Sequence, residues 1–251
     1  MKLDDAKVMV TGAASGLGRC FALNMDRAGA HVLAMDVDEE GLEAVAAEGD
    51  RITTAVGSVA DEADVKAAVA KGVEAFGELN GLVNNAGIFR DGLLVKKDRD
   101  SGEIATMSLS DWQSVVDVNL TGTFLCTREV AAHMVEDGVD EGVIVNISSC
   151  SRHGNMGQGN YSATKAAVVA DTKLWAEELA RYGVRVGAVA PGFTQTPILD
   201  GMREEMLQKL IKQVPLRRTG QPEEIYMAVK FIFECGYFTG RCIDVDGGIT
   251  M

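Results

Sequence analysis

A tyrosine and a lysine four residues apart, Tyr161 and Lys165, are well suited to acid-base chemistry. On a helix the two side chains lie on one face, one turn apart. A free phenol has a pKa of about 10, and a neighbouring ammonium favours the phenolate. The pair therefore predicts a general acid-base group that works near neutral pH. A surface tyrosine and lysine that share a helix face by chance would have the same spacing.

The size of the expected pKa change supports the catalytic interpretation. A unit charge at roughly 4 Å in a partly buried site interacts with another by about 4 kcal/mol. Each pKa unit corresponds to about 1.4 kcal/mol, so one ammonium is expected to lower the pKa of Tyr161 by about three units.

The sequence around this pair predicts a strand followed by a helix. Residues 142–147 are rich in β-branched side chains, which is typical of a buried strand. Residues 166–182 are rich in Ala, Leu and Glu, which favours a helix. Strand and helix patterns alternate along residues 1–251 without a low-complexity linker. We therefore expect one α/β domain with a doubly wound sheet.

A glycine-rich turn, Thr11-Gly-Ala-Ala-Ser-Gly-Leu-Gly18, follows the first predicted strand at 7–10 and leads into a predicted helix at 19–28. The backbone amides of such a turn, with the helix N-terminus, can bind a pyrophosphate. Glycines in a turn are often purely structural. The position between a strand and a helix nevertheless favours a nucleotide site.

An acidic residue, Asp36, follows the second predicted strand at 31–35. A carboxylate there can accept hydrogen bonds from the hydroxyls of an adenosine ribose. It would repel a 2′-phosphate by about 4 kcal/mol for each like-charge pair at about 4 Å, at an effective dielectric near 20. Asp36 therefore predicts NAD rather than NADP as the cofactor. The alternative is that Asp36 only caps the next helix.

The acidic composition excludes several classes of partner. The net charge is −13 and the pI is near 4.7, whereas nucleic acids and anionic membranes bind basic surfaces. The five cysteines are scattered, which indicates reduced thiols rather than a disulfide or metal site. The polar N-terminus and the absence of a long apolar run predict a cytoplasmic protein that does not bind membranes.

Two segments are expected to border a substrate site. Residues 90–107 are polar and mixed in charge, and they are predicted to form an inserted surface hairpin. Residues 193–216 follow the predicted strand at 184–190 and include an amphipathic helix at 198–211. That helix is either a mobile lid or part of the core.

Six motifs resemble, in order and spacing, those of the short-chain dehydrogenase/reductase family. The resemblance covers essentially the whole chain and implies a Rossmann-type seven-stranded parallel sheet with helices on both faces, assembled as a homotetramer or homodimer. It also implies an NAD(H)-dependent oxidoreductase that interconverts a secondary alcohol and a ketone. The motifs are the glycine-rich turn, Asn84-Asn-Ala-Gly87, Asn119, Tyr161-x-x-x-Lys165, Pro191-Gly192 and Asp246-Gly-Gly248.

The resemblance also implies roles for individual polar side chains. Tyr161 would give or take the hydroxyl proton, and Lys165 would lower its pKa and bind the nicotinamide ribose. Asn119 would hold a proton-relay water. A serine at the end of the fifth strand would polarise the substrate carbonyl. Side-chain alternation lets only one of Ser148 and Ser149 face the site. The family's usual spacing of thirteen positions to the tyrosine fits Ser148, whereas alignment on the strand, where the second serine of Asn-Ile-Ser-Ser usually carries the active hydroxyl, selects Ser149.

The cofactor-binding residues implied by the resemblance lie at the ends of several predicted strands. Asp36 would bind the ribose, and Ser58 stands where an acidic residue often contacts adenine in this family. The predicted set is Gly12, Ser15, Gly16, Leu17, Gly18, Asp36, Ser58, Val59, Asn85, Ala86, Gly87, Tyr161, Lys165, Pro191, Gly192, Thr194 and Thr196.

The residues expected to line the substrate pocket are mainly apolar, which suggests a lipophilic ketone, an acyl thioester or a steroid-like alcohol. Residues 155–160 also resemble the 3-oxoacyl-(acyl-carrier-protein) reductases of this family, which typically use NADPH, a cofactor that Asp36 argues against. A catalytically silent NAD-sensing protein is the rival from another class. The predicted lining residues are Phe89, Cys150, His153, Met156, Phe193, Ile198, Leu199 and Met202.

Overall fold

The computed structural model describes residues 1–200 and 204–250, apart from the side chains of residues 198 and 200. In the described part, seven parallel strands form one sheet and two further strands form a separate antiparallel pair. The strands in chain order are β1 (Lys7–Thr11), β2 (His31–Asp36), β3 (Ile52–Val56), β4 (Gly81–Asn84), β5 (Val95–Lys97), β6 (Ile104–Thr106), β7 (Gly142–Ile147), β8 (Val184–Pro191) and β9 (Cys242–Val245).

Helices cover both faces of the seven-stranded sheet. Helices α1, α2 and α9 pack on one face, and α3, α5 and α6 pack on the other. The α-helices of the described residues are α1 (Gly16–Arg27), α2 (Glu39–Glu48), α3 (Glu62–Phe76), α4 (Leu109–Val116), α5 (Gly122–Glu136), α6 (Gly159–Leu179), α7 (Pro197–Asp200), α8 (Glu204–Ile211) and α9 (Pro222–Glu234).

The two apolar cores follow from side-chain alternation along the strands. In β1, Val8 and Val10 belong to the same core as Phe21 of α1, whereas Met9 belongs to the core on the opposite face with Val65 of α3. Successive side chains of a strand point to opposite faces, so a strand covered on both sides needs apolar residues at every position. This is why the central strands appear in the sequence as continuous apolar runs.

The predicted seven-stranded parallel sheet is confirmed. The strand order is β3-β2-β1-β4-β7-β8-β9. From β1 the chain goes first to β2 and β3 on one side and then returns to β4 on the other. A doubly wound sheet has a crevice at this point, beyond the carboxyl ends of its strands, where ligands commonly bind. The sheet therefore fixes where the candidate site lies.

Two predicted helices have different bounds in the structure. The helix predicted at 110–136 consists of α4, a π-helical turn at Asp117–Thr121, and α5. The helix predicted from residue 166 begins at Gly159, which places both Tyr161 and Lys165 in its first two turns.

The inserted segment contains an antiparallel hairpin of β5 and β6, whose residues are all exposed. After β8, α7 and α8 occupy part of the segment predicted as a lid, and α8 contains no buried residue. The candidate pocket residue Met202 and the side chain of Ile198 lie outside the described part of the chain. Over the described ranges, we find no helix with the length and apolar character that a membrane span requires.

Candidate active site

Tyr161 and Lys165 lie near the carboxyl end of β7. The first turns of α6 carry both side chains, and both are buried. The Lys165 Nζ lies 5.6 Å from the centroid of the Tyr161 ring. The predicted proximity of the two groups is therefore present in the folded chain.

The amine of Lys165 is directed toward the sheet. Its Nζ donates a hydrogen bond of 2.7 Å to the carbonyl oxygen of Ile147, the last residue of β7. Burial disfavours the ammonium and lowers the pKa of Lys165 to about 8. The amine is still mainly protonated at neutral pH, but its pKa lies closer to neutral pH than that of an exposed lysine.

The phenol of Tyr161 shows a pKa change opposite to the predicted one. Burial raises the pKa of Tyr161 to about 12, and a hydrogen bond with Ser149 lowers it only in part. The negative charges of Cys150 and Asp91, when ionised, oppose the phenolate further. The prediction that Lys165 lowers the pKa of Tyr161 is therefore wrong when only the chain's own groups act on the phenol. Withdrawal of the phenol from water is the largest cause of its raised pKa.

The two candidate serines have different surroundings. The Ser148 hydroxyl donates a hydrogen bond of 2.7 Å to the backbone oxygen of Lys165 and ties β7 to α6. The Ser149 hydroxyl accepts a hydrogen bond from the Ser151 amide at 3.1 Å and also pairs with the Tyr161 phenol. Ser149 is thus the serine that faces the phenol, as the alignment on the strand predicts.

Asn119 lies in the π-helical turn between α4 and α5 and is fully buried. Its Oδ1 accepts from the Ile88 amide at 2.8 Å, and its Nδ2 donates to the Ile88 oxygen at 3.1 Å. A π turn often marks a functional position in a helix. A Cβ on Gly87 would lie 3.4 Å from Asn119 Oδ1 and 3.6 Å from Lys165 Nζ. The side chains of Asn119 and Lys165 therefore both lie next to Gly87.

The glycine-rich turn has a conformation that glycine favours. Gly12 has a φ of 65°, and a Cβ there would lie 2.9 Å from the Cα of Ala86. A Cβ on Gly18 would lie 1.9 Å from the Gly12 carbonyl oxygen, so the helix start packs directly on the turn. These glycines leave room for a ligand to approach backbone amides closely.

The segment after β4 is bonded to this turn. The Thr11 hydroxyl accepts hydrogen bonds from the amides of Asn85 and Ala86 at 3.0 and 3.1 Å. The Asn85 side-chain amide donates to the backbone oxygens of Thr11 and Gly12. Sequence reasoning missed Thr11, because a threonine at a strand end has no distinctive pattern. These bonds join two parts of the predicted cofactor site into one wall.

Asp36 lies at the carboxyl end of β2 and faces the same turn. Its Oδ2 accepts from the Ala14 amide at 3.0 Å, and its Oδ1 accepts from the Asp38 amide at 3.1 Å. The N-cap of α2 is Asp38, which accepts from the Gly41 amide. The alternative that Asp36 only caps the next helix is therefore wrong.

The loop after β3 supplies two further predicted cofactor residues. The Ser58 amide donates to Asp64 Oδ2 at 2.9 Å, and the Ser58 hydroxyl accepts from the Ala60 amide at 3.2 Å. Val59 is buried against Gly122, where a Cβ would lie 2.6 Å from a Val59 methyl carbon. Sequence reasoning missed Asp64, whose carboxylate shapes this loop from the first turn of α3.

The segment after β8 lies opposite the glycine-rich turn. Gly192 follows Pro191 and donates to the Val245 oxygen at 3.0 Å. The Thr194 hydroxyl donates to the Gly192 oxygen at 3.2 Å. The Thr196 methyl carbon lies 3.9 Å from the Cβ position of Gly16, so Thr196 borders the turn. Of the remaining predicted cofactor residues, Ser15 precedes α1, and Leu17 packs against the core through its side chain.

The predicted substrate-lining residues divide into two groups. Cys150 and Phe193 pack together with Val214 and Ile249, and Leu199 is also buried. His153 is exposed, and Met156 is 88% exposed, so these two lie on the surface rather than in an apolar pocket. The local 3-10 turn at Cys150–His153 buries its first residues and leaves its end in solvent.

The chain's own residues fit a dinucleotide. They supply a glycine-rich turn without side chains at three positions, a carboxylate at the end of β2, and a buried tyrosine and lysine beyond β7. In the described ranges, no group of three or more His, Cys, Asp or Glu side chains is arranged to hold a metal ion. The fold is therefore of the Rossmann type, with a candidate dinucleotide site at this edge of the sheet.

Sequence comparison gives the family. The profile described as "Enoyl-(Acyl carrier protein) reductase" matches residues 12–250. The chain belongs to the short-chain dehydrogenase/reductase family and is an oxidoreductase of that family.

Similar proteins include both reductases and a dehydrogenase. The 3-oxoacyl-(acyl-carrier-protein) reductase FabG of Thermotoga maritima is 39% identical, with 100% of each chain covered. The hydroxy(phenyl)methylsuccinyl-CoA dehydrogenase subunit BbsD of Thauera aromatica is 38% identical over 99% of this chain and 98% of its own. Among solved structures, the 3-ketoacyl-(acyl-carrier-protein) reductase of Brucella melitensis complexed with NADH has a TM-score of 0.88 and 33% identity, covering 99% of this chain and 100% of its own.

Proposed function

We propose that this chain is an NAD(H)-dependent oxidoreductase that interconverts a secondary alcohol and a ketone. The observation that carries the proposal is the convergence of the Tyr161 phenol, the Ser149 hydroxyl and the Lys165 amine at the carboxyl end of β7. A phenol beside a second hydroxyl can bind one oxygen atom of a substrate and exchange a proton with it.

In this proposal each polar residue has a separate task. Ser149 and Tyr161 bind the substrate oxygen, and Tyr161 gives or takes its proton. A phenol with a raised pKa is protonated at neutral pH, which suits proton donation during reduction of a ketone. Lys165 holds a positive charge near the phenol. Asn119 fixes the Ile88 backbone and holds a proton-relay water. Bound NAD supplies or accepts the hydride.

NAD is the preferred cofactor in this proposal because of Asp36. In the proposal its carboxylate, which accepts from the Ala14 amide of the glycine-rich turn, also accepts hydrogen bonds from ribose hydroxyls and repels a 2′-phosphate. The solved relative from Brucella melitensis, which was complexed with NADH, supports this choice. The residues named above in the glycine-rich turn, in the loops after β3 and β4, and in the segment after β8 would hold the remaining parts of the dinucleotide.

An acyl thioester is the substrate class that the relatives support best. The names of two of them specify an acyl carrier protein thioester and a CoA thioester. The apolar contact of Cys150 with Phe193 is consistent with a lipophilic chain beside the reacting carbon. Helices α7 and α8 would act as a small lid, since α8 buries none of its residues in the core.

The second candidate function, 3-oxoacyl-(acyl-carrier-protein) reductase, is favoured by the sequence relatives.

The test is a screen of ketones, 3-oxoacyl thioesters and secondary alcohols with NADH or NAD, followed by the absorbance of NADH. We expect turnover with at least one apolar carbonyl compound, and faster turnover with NADH than with NADPH. Faster turnover with NADPH on a 3-oxoacyl thioester would favour the second candidate. Tight NADH binding without turnover across the panel would favour a nucleotide-sensing protein instead.

The proposed working form is a cytoplasmic homotetramer or homodimer. Large apolar side chains are exposed on α5 and α9, and such surfaces often mark subunit contacts. They include Phe124 and Met227. Sedimentation analysis that gives only the monomer mass at micromolar concentration would contradict this part of the proposal.

Substitution of the two adjacent serines is expected to separate catalysis from stability. Ser149→Ala should lower kcat by about 10²-fold, because one hydrogen-bond donor to the substrate oxygen is lost. Ser148→Ala should retain activity but lower the free energy of unfolding by about 1 kcal/mol, because the bond to the Lys165 oxygen is lost. Steady-state kinetics and urea unfolding of both variants measure this. Loss of activity in Ser148→Ala with normal activity in Ser149→Ala would reverse the assignment.

A further inference from the structure

The ring of Phe89 lies on the ring of Tyr161. The two ring centroids are 4.4 Å apart and the planes are inclined by 29°, so the rings are stacked. Phe89 is half-buried and comes from the segment after β4, 72 positions before the tyrosine in the sequence. It therefore covers one face of the proposed acid-base group from a different part of the chain.

Backbone contacts hold Phe89 in place from both sides. On one side, Asn119 binds both the amide and the carbonyl oxygen of Ile88. On the other side, Asn160 Nδ2 donates to the Arg90 oxygen at 2.9 Å. Asn119 and Asn160 are both fully buried. The position of Phe89 is thus fixed by two buried side chains, of which Asn119 belongs to the candidate site.

The same segment is also bonded to the loop that precedes α6. The Gly92 amide donates to the Gly157 oxygen at 2.8 Å. The Gln158 side-chain amide donates to the Asp91 carboxylate at 3.2 and 3.3 Å. Residues 88–92 therefore form a strap across the start of α6, with Phe89 on its inner side.

We propose that Phe89 is a positioning residue that acts through Tyr161. This inference rests on the proposed function, in which Tyr161 carries the proton. The stacked ring restricts rotation of the phenol and keeps its hydroxyl directed at Ser149. It also excludes water from one face of the phenol. A small displacement of a reacting group can lower an enzyme's rate by a large factor, so this restraint matters for turnover.

The surroundings of Tyr161 give the expected direction of change when Phe89 is removed. The titratable groups that face the phenol are Cys150 from the turn after β7, Asp91 from the strap, and Lys165 from α6 itself. Burial is the largest cause of the raised pKa of Tyr161. Loss of the covering ring admits water, stabilises the phenolate and lowers that pKa.

A titration that does not need turnover tests the inference. Tyrosine labelled with ¹³C at Cζ gives one resonance for Tyr161, assigned with the Tyr161→Phe protein. We expect Phe89→Ala to lower the pKa of Tyr161 by about one unit, and Phe89→Trp, which keeps an aromatic ring and adds no titratable group, to leave it unchanged. Phe231→Ala is the matched control. Phe231 lies on α9 and pairs with another aromatic ring, that of Phe238, at a distance of 5.6 Å between ring centroids. An unchanged Tyr161 titration in Phe89→Ala would overturn the inference.

Kinetics supply the second readout. Phe89→Ala should lower kcat about tenfold with little change in the KM for NADH, and Phe89→Trp should retain most of the wild-type kcat. The fall of the reduction rate at high pH should move to lower pH in Phe89→Ala. Equal kcat and an equal pH profile in wild type and Phe89→Ala would overturn the positioning role of Phe89 and leave the proposed function unaffected. Full turnover in Tyr161→Phe would instead overturn the proposed function, and the titration would still decide whether Phe89 covers the phenol.

Discussion

Tyr161→Phe should lower kcat by about 10³-fold or more while the protein still binds NADH. Proton transfer by a positioned side chain contributes about 10²- to 10⁴-fold to a rate, and phenylalanine has no proton to transfer. The substitution removes one oxygen and keeps the ring that packs on Phe89, so the fold and the cofactor site should be unaffected. Steady-state turnover and NADH fluorescence measure the two effects separately.

Tyr237→Phe is the matched control for this substitution. Tyr237 is fully exposed, so removal of its hydroxyl should change neither turnover nor NADH binding. If Tyr161→Phe retained turnover within a few-fold of wild type, Tyr161 could not be the proton donor. If it lost NADH binding as well, the phenol would be serving the cofactor site rather than the proton transfer.

Asp36→Asn should raise kcat/KM for NADPH by about 10²-fold. Removal of a like-charge pair at about 4 Å is worth about 4 kcal/mol at an effective dielectric near 20, and solvent screening at this half-buried position reduces that value. Asparagine keeps one oxygen, which can accept from the Ala14 amide and so preserve the glycine-rich turn, but it loses the oxygen that accepts from the Asp38 amide. Turnover with NADH should fall only modestly, because an amide oxygen can still accept from a ribose hydroxyl.

Asp38→Asn is the control for the charge change, since Asp38 is two residues away and caps α2. Asparagine is as good an N-cap as aspartate, so this variant should keep the wild-type preference between NADH and NADPH. An equal gain for NADPH in both variants would mean that overall charge decides the preference. No gain in Asp36→Asn would remove Asp36 as the residue that selects the cofactor.

The sheet could be predicted from the sequence because its strands are buried on both faces. The strands predicted at 7–10, 31–35 and 184–190 differ by only one residue from β1, β2 and β8. A strand covered by helices on both sides must be apolar at every position, and this leaves a clear pattern. The hairpin of β5 and β6 has no core to bury, so the sequence indicated its presence by polarity but not its strand bounds.

Part of the site could also be predicted, namely the residues that share a helix turn or a strand end. Spacing along α6 places Lys165 near Tyr161, but it contains no information about the depth of the pair or the direction of the amine. The hydrogen bond from Lys165 to Ile147 crosses from α6 to β7, and burial of the phenol, the largest cause of its raised pKa, also depends on contacts between distant parts of the chain. The stack of Phe89 on Tyr161 also joins distant parts of the chain, and no local pattern predicts such a contact.

The most direct measurement is a crystal structure of the chain with NAD and a slowly reacting alcohol identified in the screen. We expect the alcohol oxygen to lie within hydrogen-bond distance of both the Tyr161 and Ser149 hydroxyls, with Lys165 Nζ in contact with the ribose of the nicotinamide. An alcohol oxygen bound by other side chains, with the Tyr161 hydroxyl out of reach, would contradict the assignment of Tyr161 as the acid-base residue.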